Sequence, residues 1–411
     1  MLNKLRGQYD KFPRPFRILV AATFIDRLGG ALIFPFLSLY VAQKFDVGMT
    51  EVGLLFGIWS ISSLVGSMIG GALADKFGRK AILIFGLLFS AGTSLFMGFV
   101  EEMRVFYILA AIAGIFSDIG HPAQQAMVAD LLEGEKRAEG FSILRVVANL
   151  AITFGPMIGG LLSGISYLLL FIIDAVASSI TALIIFSKIS ETKPVINTQD
   201  KSESIIETIG GYRVVIKDRL FVAFILSSIL MLTVYTQMYS TLSVFLFRVH
   251  GVSAREFGLM MSMNAAMVVL FQFWTTRKIK GYPPMLMMVI ANILYGIGFG
   301  LFAVIDIVYL FFTAMAIITI GEMIHIPVSQ ALATSFAPEH MRGRYMAAFG
   351  ISWAVPNTAA PLFAGLVMDN FTPHWVWILA GLISIVSTSA FTFLYFKTRK
   401  RFQTGMTFQP D

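Results

Sequence analysis

Two apolar stretches of this chain each carry an acid three residues ahead of a histidine, Asp118-Ile119-Gly120-His121 and Glu322-Met323-Ile324-His325, each followed by proline (Pro122, Pro327) and glutamine (Gln125, Gln330). Residues i and i+3 share a helix face, so each carboxyl can sit beside its imidazole. Burial favours the neutral carboxyl and histidine titrates near neutrality, which makes both pairs candidate proton carriers. Two other readings stay open: a divalent metal site built from Asp118, His121, Glu322 and His325, or hydrogen-bonded polar contacts beside proline kinks. Glu322 is the strongest single candidate, because an acid with no basic neighbour in sequence has reason to be protonated at rest.

Asp26 and Arg27 interrupt an earlier apolar run. Both lie about ten residues into it, or about 15 Å deep at roughly 1.5 Å per residue. A charge at such a depth costs about 2.5 to 3.5 kcal/mol on insertion scales, so it needs water, a partner or a proton. Adjacent residues point about 100° apart on a helix, so the two should look toward different neighbours. They either line a cavity or close the helical bundle as a structural pair. Asp174, among apolar residues with Ser178 and Ser179, belongs to the same cavity or to the outer surface.

The elements that position these groups follow from composition. With 57% hydrophobic and 13% charged residues, and a mean hydropathy of +0.78, the chain carries more apolar surface than a water-soluble domain of 411 residues can hide. Apolar runs predict twelve membrane-spanning helices, at 17–42, 52–74, 81–100, 104–131, 141–164, 167–187, 219–247, 255–275, 284–304, 308–335, 344–367 and 375–396. Most of the 31 Lys and Arg fall in the tails and even-numbered loops, whereas the odd-numbered loops carry Lys44, Arg104, Arg248 and Arg255. This asymmetry predicts a multi-pass protein of the cell (inner) membrane with both termini cytoplasmic. The net charge of +7 suits anionic membrane lipids, not nucleic acid. The first apolar run is too long for a signal peptide and lacks a small-residue cleavage site. The absence of cysteine excludes disulfides, thiolate metal sites and thiol catalysis.

Offsetting the chain by 205 residues pairs Pro122 with Pro327, Gln125 with Gln330, Ala126 with Ala331, Arg137 with Arg342, Pro156 with Pro361 and Gly160 with Gly365. Such a repeat predicts two six-helix bundles, at 17–187 and 219–396, flanked by tails 1–16 and 397–411. A duplicated scaffold that carries nothing is the other reading. The polar linker at 188–218 is either a loose tether or, through Ile205, Ile206, Ile209 and Val215, an amphipathic surface helix.

Between the second and third apolar runs stands Gly71-Ala72-Leu73-Ala74-Asp75-Lys76-Phe77-Gly78-Arg79-Lys80, a short basic hinge in which glycine permits a sharp turn. It resembles the loop between the second and third helices of major facilitator superfamily transporters at every specified position. Residues 142–160, Ser142-x8-Ala151-x3-Gly155-Pro156-x2-Gly159-Gly160, are similar to the motif of that superfamily's antiporters, with Ser142 and Ala151 replacing two glycines. Small residues let this helix pack closely, and the Gly-Pro bend would seal one end of a pathway.

The resemblance implies an all-α integral membrane fold of two pseudo-symmetric six-helix bundles, and a drug/proton antiporter. It implies proton-coupling or cation-binding roles for the acid of the first helix, Asp26, and for Glu322. It also marks a departure: many members carry an arginine four residues before a glycine early in the fourth helix, and Ala110 stands there, before Gly114. Arg145 replaces it in part, with Asp130 as its expected partner. Asp75, Asp130, Arg137 and Arg145 are expected to latch a cytoplasmic gate with the hinge. The many methionines and phenylalanines suit a cavity for varied lipophilic solutes, or serve packing and lipid contact.

The expected activity is proton-coupled efflux of amphipathic or cationic drug-like solutes by alternating access. The alternatives are transport of a specific metabolite, peptide or divalent metal ion, and a membrane sensor or scaffold. No nucleophile-base set, phosphate-binding loop or Walker motif is present, so no enzyme is expected. The expected partners are protons, membrane lipids and a small lipophilic or cationic solute. A monomer without cofactor is expected.

Overall fold

The computed structural model describes residues 11–133, 135–193, 214–338 and 341–402. Among these, twelve helices are long and apolar enough to cross a membrane. Spans 1 to 6 run over Arg14–Lys44, Met49–Phe77, Arg79–Phe99, Met103–Leu131, Glu139–Ser163 and Tyr167–Lys188, and spans 7 to 12 over Arg219–Ser240, Ala254–Ile279, Pro284–Leu301, Val308–Phe336, Arg344–Asn370 and Trp375–Arg399. Large apolar side chains such as Met68, Phe96, Phe186, Phe273 and Ile385 stay exposed along them, as lipid contact requires.

Three spans depart from single continuous helices. Span 1 tightens into a 3-10 turn at Phe34–Phe36, where Pro35 withholds a backbone donor. Span 4 breaks at Gly120 into Met103–Ile119 and His121–Leu131, because Pro122 cannot donate to the Asp118 carbonyl. Span 7 stops at Ser240, and a separate helix, Leu242–His250, follows after Thr241. Pro327 and Pro356, by contrast, sit inside unbroken helices.

The chain forms two compact units. The first comprises Met1–Val47, Leu54–Thr198 and Ser253–Ser262, and the second Gly48–Gly53, Gln199–Val252 and Met263–Asp411. A core around Phe12, Phe16, Leu19, Ile82, Met127 and Val128 anchors the first unit. Packed rings of Phe221, Phe224, Phe336, Phe349 and Phe391 anchor the second. Val215 is buried in that second core, while Ile205, Ile206 and Ile209 of the expected surface helix lie outside the described residues. Asp218 ends the linker by accepting the Phe221 N–H at 3.1 Å, which caps span 7.

Candidate functional site

In the second unit, Glu322 of span 10 is caged by side chains from spans 7 and 8. The Tyr235 hydroxyl donates to Oε1 at 2.9 Å, and Asn264 Nδ2 donates to Oε2 at 2.9 Å. The same Asn264 amide donates to Thr319 Oγ1 at 2.9 Å, which fixes its orientation. Neither carboxylate partner carries a charge, so nothing in this cage offsets a full negative charge on Glu322. Tyr235 is itself packed in a set of rings, with centroids 5.8 Å to Tyr239, 5.7 Å to Tyr295 and 6.1 Å to Trp353.

His325, one turn on, does not serve Glu322. It is 1% exposed, lies 5.6 Å from the Tyr295 ring and leaves Nδ1 without a hydrogen bond. The acid-x-x-His spacing in span 10 therefore sends its two members to different neighbours. Gln330 is half-buried farther along the helix.

The first unit holds two polar clusters, one on spans 1, 3 and 6 and one on spans 2 and 4. Asp26 accepts from the Ser178 hydroxyl at 2.8 Å, and Asp174 accepts from the Ser94 hydroxyl at 2.6 Å. Asp174 packs against Gly29, one turn from Asp26, and the two carboxyls feel each other's charge. Spans 1, 3 and 6 thus place two acids and two hydroxyls together. Asp174 belongs to this interior cluster, which decides between the two positions open from sequence.

Arg27 is exposed on span 1, and the second cluster lies on spans 2 and 4. Asp118 accepts from the Ser63 hydroxyl, and Gln125 Nε2 approaches His121 at 3.4 Å. The break at Gly120 separates Asp118 and His121 onto two helices, so the shared face expected from i, i+3 spacing is interrupted. The hydroxyl donors Ser63 and Ser94 and the Tyr235–Asn264 pair are not marked out by sequence, and Ser178 stands out there only beside Asp174 and not as the partner of Asp26, because polar residues in apolar spans are common and only contact between spans singles them out.

The basic hinge between spans 2 and 3 is held by a carboxylate from outside it. Gly78 adopts φ 102°, a conformation other residues resist, and opens span 3. Glu191 then accepts the N–H groups of Arg79 at 3.0 Å and Lys80 at 3.2 Å, and those of Thr192 and Lys193 at 2.9 and 3.0 Å. An anion at a helix N-terminus meets free donors and the positive end of the helix dipole. Lys193 returns the contact, donating to the Lys76 carbonyl at 3.0 Å at the end of span 2.

Of the expected gate residues, Asp130 forms an ion pair with Arg79, and Arg137 Nε donates to the Leu132 carbonyl at 2.8 Å. Lys80 Nζ donates to the Phe186 carbonyl at 2.7 Å. Asp75 and Arg145 are exposed and Gly71 half-buried. Arg79, not foreseen as the partner of Asp130, thus joins the hinge to the end of span 4.

Burial raises the Glu191 carboxyl, but the N–H groups of Lys193, Arg79, Thr192 and Lys80 outweigh it and hold the group below its ordinary value of 4.5. A depressed folded value stabilises above the unfolded one, and that stabilisation is lost as pH falls through the folded value. Glu191→Ala is therefore expected to lower Tm at neutral pH, with the gap from the parent closing on acidification below 4.5. Thermal unfolding of both proteins in detergent across pH reads this directly. A gap that persists unchanged into acid would contradict the capping role.

Residues 142–160 pack against span 1. A side chain at Gly155 would collide with Ala31, and one at Gly159 with the Leu32 carbonyl oxygen. Gly160 meets Gly258 of the same unit, where an added Cβ would stand 2.7 Å from its Cα. Pro156 stays within the helix.

Twelve apolar spans, acids caged by hydroxyls and amides at their interior, and a capped basic hinge together define a membrane transporter. The sequence profile of the Major Facilitator Superfamily matches residues 19–361 and 327–405, and the chain belongs to that superfamily. Its fold is that of the crystallised nucleoside transporter NupG, with a TM-score of 0.79 at 15% identity over 93% of this chain and all of that one. The twelve-span, all-α major facilitator architecture expected from the sequence is the one observed. The chain is 25% identical to a Na(+), Li(+), K(+)/H(+) antiporter of Planococcus maritimus, over 94% of this chain and 97% of the relative. It is 33% identical to the class H tetracycline resistance protein of Pasteurella multocida, over 43% and 44% of the two chains.

Proposed function

We propose that the protein is a proton-coupled antiporter that exports an amphipathic or cationic solute by alternating access. The observation that carries this reading is the Glu322 cage. A carboxyl held by the uncharged Tyr235 and Asn264 can keep or release a proton with little rearrangement. The surrounding Tyr239, Tyr295 and Trp353 rings offer faces to a cation once the proton leaves. Proton and solute then compete for one site. Asp26, with Asp174 beside it, is the second proton carrier, and the hinge with Arg79 and Asp130 is the gate. The drug-resistance relative supports this solute class. Charge asymmetry in the loops supports a cell-membrane protein with both termini cytoplasmic.

A second reading is exchange of Na+, Li+ or K+ for protons. Asp26, Asp174, Ser94 and Ser178 supply only oxygen donors, which suit hard monovalent ions, and the Planococcus maritimus relative carries that activity in its name.

Inside-out vesicles under an imposed proton gradient separate the two. Accumulation of a fluorescent lipophilic cation that needs the gradient and fails in Glu322→Gln is the expected result. Collapse of the gradient by Na+, Li+ or K+, with no dye movement, would favour the second reading. Neither response from correctly folded protein would overturn both.

A further inference from the structure

At the end of the second unit that carries the odd-numbered loops, three loops bring His250, Asp306 and His374 together. His250 closes the helix Leu242–His250, and its place is fixed by the cap that follows: Gly251 takes φ 66°, its N–H reaches the Phe247 carbonyl at 3.1 Å, and the Val252 N–H reaches the Leu246 carbonyl at 3.0 Å. Asp306 lies in the short connection between spans 9 and 10, and His374 just before span 12, whose first turn begins on its carbonyl. One ligand atom from each residue lies within 4.8 Å of the other two.

The arrangement is unsatisfied as it stands. The His250 side chain is 6% exposed, yet its Nε2 is buried without a hydrogen-bond partner. Its Nδ1 stands 3.8 Å from Asp306 Oδ1, too far for a hydrogen bond. The nitrogen that faces Asp306 is Nδ1, and its lone pair is available to an ion when Nε2 carries the proton of the neutral ring. Phe245 braces both rings, at 5.1 Å from His250 and 5.5 Å from His374, and Phe311 closes on His250 at 4.8 Å. The floor is dry, while the Asp306 side chain is 85% exposed and leaves one side open to water.

We propose that His250, Asp306 and His374 form a binding site for a divalent transition-metal ion, Zn2+ foremost, on the outer rim of the second unit. Two imidazoles and one carboxylate, with water in a fourth position, are a borderline-soft nitrogen and oxygen set that suits Zn2+ and its neighbours and disfavours Ca2+ and Mg2+. Bonds of about 2.0–2.1 Å in a tetrahedron put ligand atoms roughly 3.3 Å apart. Rotation of the open Asp306 side chain, with a small shift of His374, closes the present gaps to that spacing. Loaded, the ion would tie the end of the helix after span 7 to the turns preceding spans 10 and 12, a clamp on segments otherwise joined by ring contacts. The site stands apart from the Glu322 cage, and its test needs no transport.

The experiment is titration of Zn2+ into the full chain, freed of any affinity tag and held in a zwitterionic detergent, with His374→Ala, His250→Ala and Asp306→Asn in parallel. One ion per chain is expected, bound at least about tenfold more weakly by each variant. Co2+ should give a visible d–d spectrum in the parent and lose it in His374→Ala. Asp306 is exposed, so its variant reports on the site even if His250→Ala fails to fold. Equal Zn2+ affinity in the parent and in the folded variants, or no Zn2+ bound by the parent, would overturn the proposal.

Discussion

Glu322→Gln is expected to abolish proton-driven accumulation of solute while leaving the protein folded. Glutamine keeps the length and shape of the side chain. Its oxygen still accepts from Asn264, and its amide can donate to the Tyr235 oxygen, so the cage closes on the variant as it does on the parent. What disappears is the ability to exchange a proton for a positive charge. Solute exchange down its own gradient, which needs no proton step, should survive in the variant. Loss of both driven and undriven movement, in protein of unchanged Tm, would mean that Glu322 holds the structure and does not couple the ions.

The second large effect is expected at Gly159. Span 5 approaches span 1 so closely there that even a methyl group meets the Leu32 carbonyl oxygen, and backbone cannot step aside as a side chain would. Gly159→Ala is expected to cost about 1–3 kcal/mol through overpacking and to depress transport together with Tm. Gly350→Ala in span 11 is the control, because an added Cβ finds nothing within 4 Å. That variant should be neutral or gain about 0.5–1 kcal/mol from reduced backbone entropy. If the two substitutions behaved alike, the tight approach of spans 1 and 5 would be without consequence.

The spans were legible because lipid imposes a simple rule on composition, and twelve apolar runs can hardly fold otherwise. Their interruptions were less so. Pro122 and Pro327 both marked possible kinks, yet span 4 breaks beside Pro122 while Pro327 sits in an unbroken helix, and only packing decides which proline breaks its helix. Glu322 stood out as an isolated acid, whereas Tyr235 and Asn264, its partners, come from other spans and look like any polar residue there. The acid-x-x-His spacing was real in sequence, yet the structure sends Glu322 to Tyr235 and His325 toward Tyr295. His250, Asp306 and His374 went unnoticed because each is alone in its own loop. The one available signal was that the outer loops are short and hold few groups able to bind anything.

Glu191 also carries the N-terminal half of the polypeptide past the end of span 6. By composition the linker starts at Lys188, but the carboxylate that organises the turn between spans 2 and 3 comes three residues later, and Lys193 is bound back to span 2. A gene split into two co-expressed fragments should therefore be cut after Lys193. Severed at Lys188, the first fragment would enter the membrane with its hinge uncapped, and the second would carry away a stopper that belongs to its sibling.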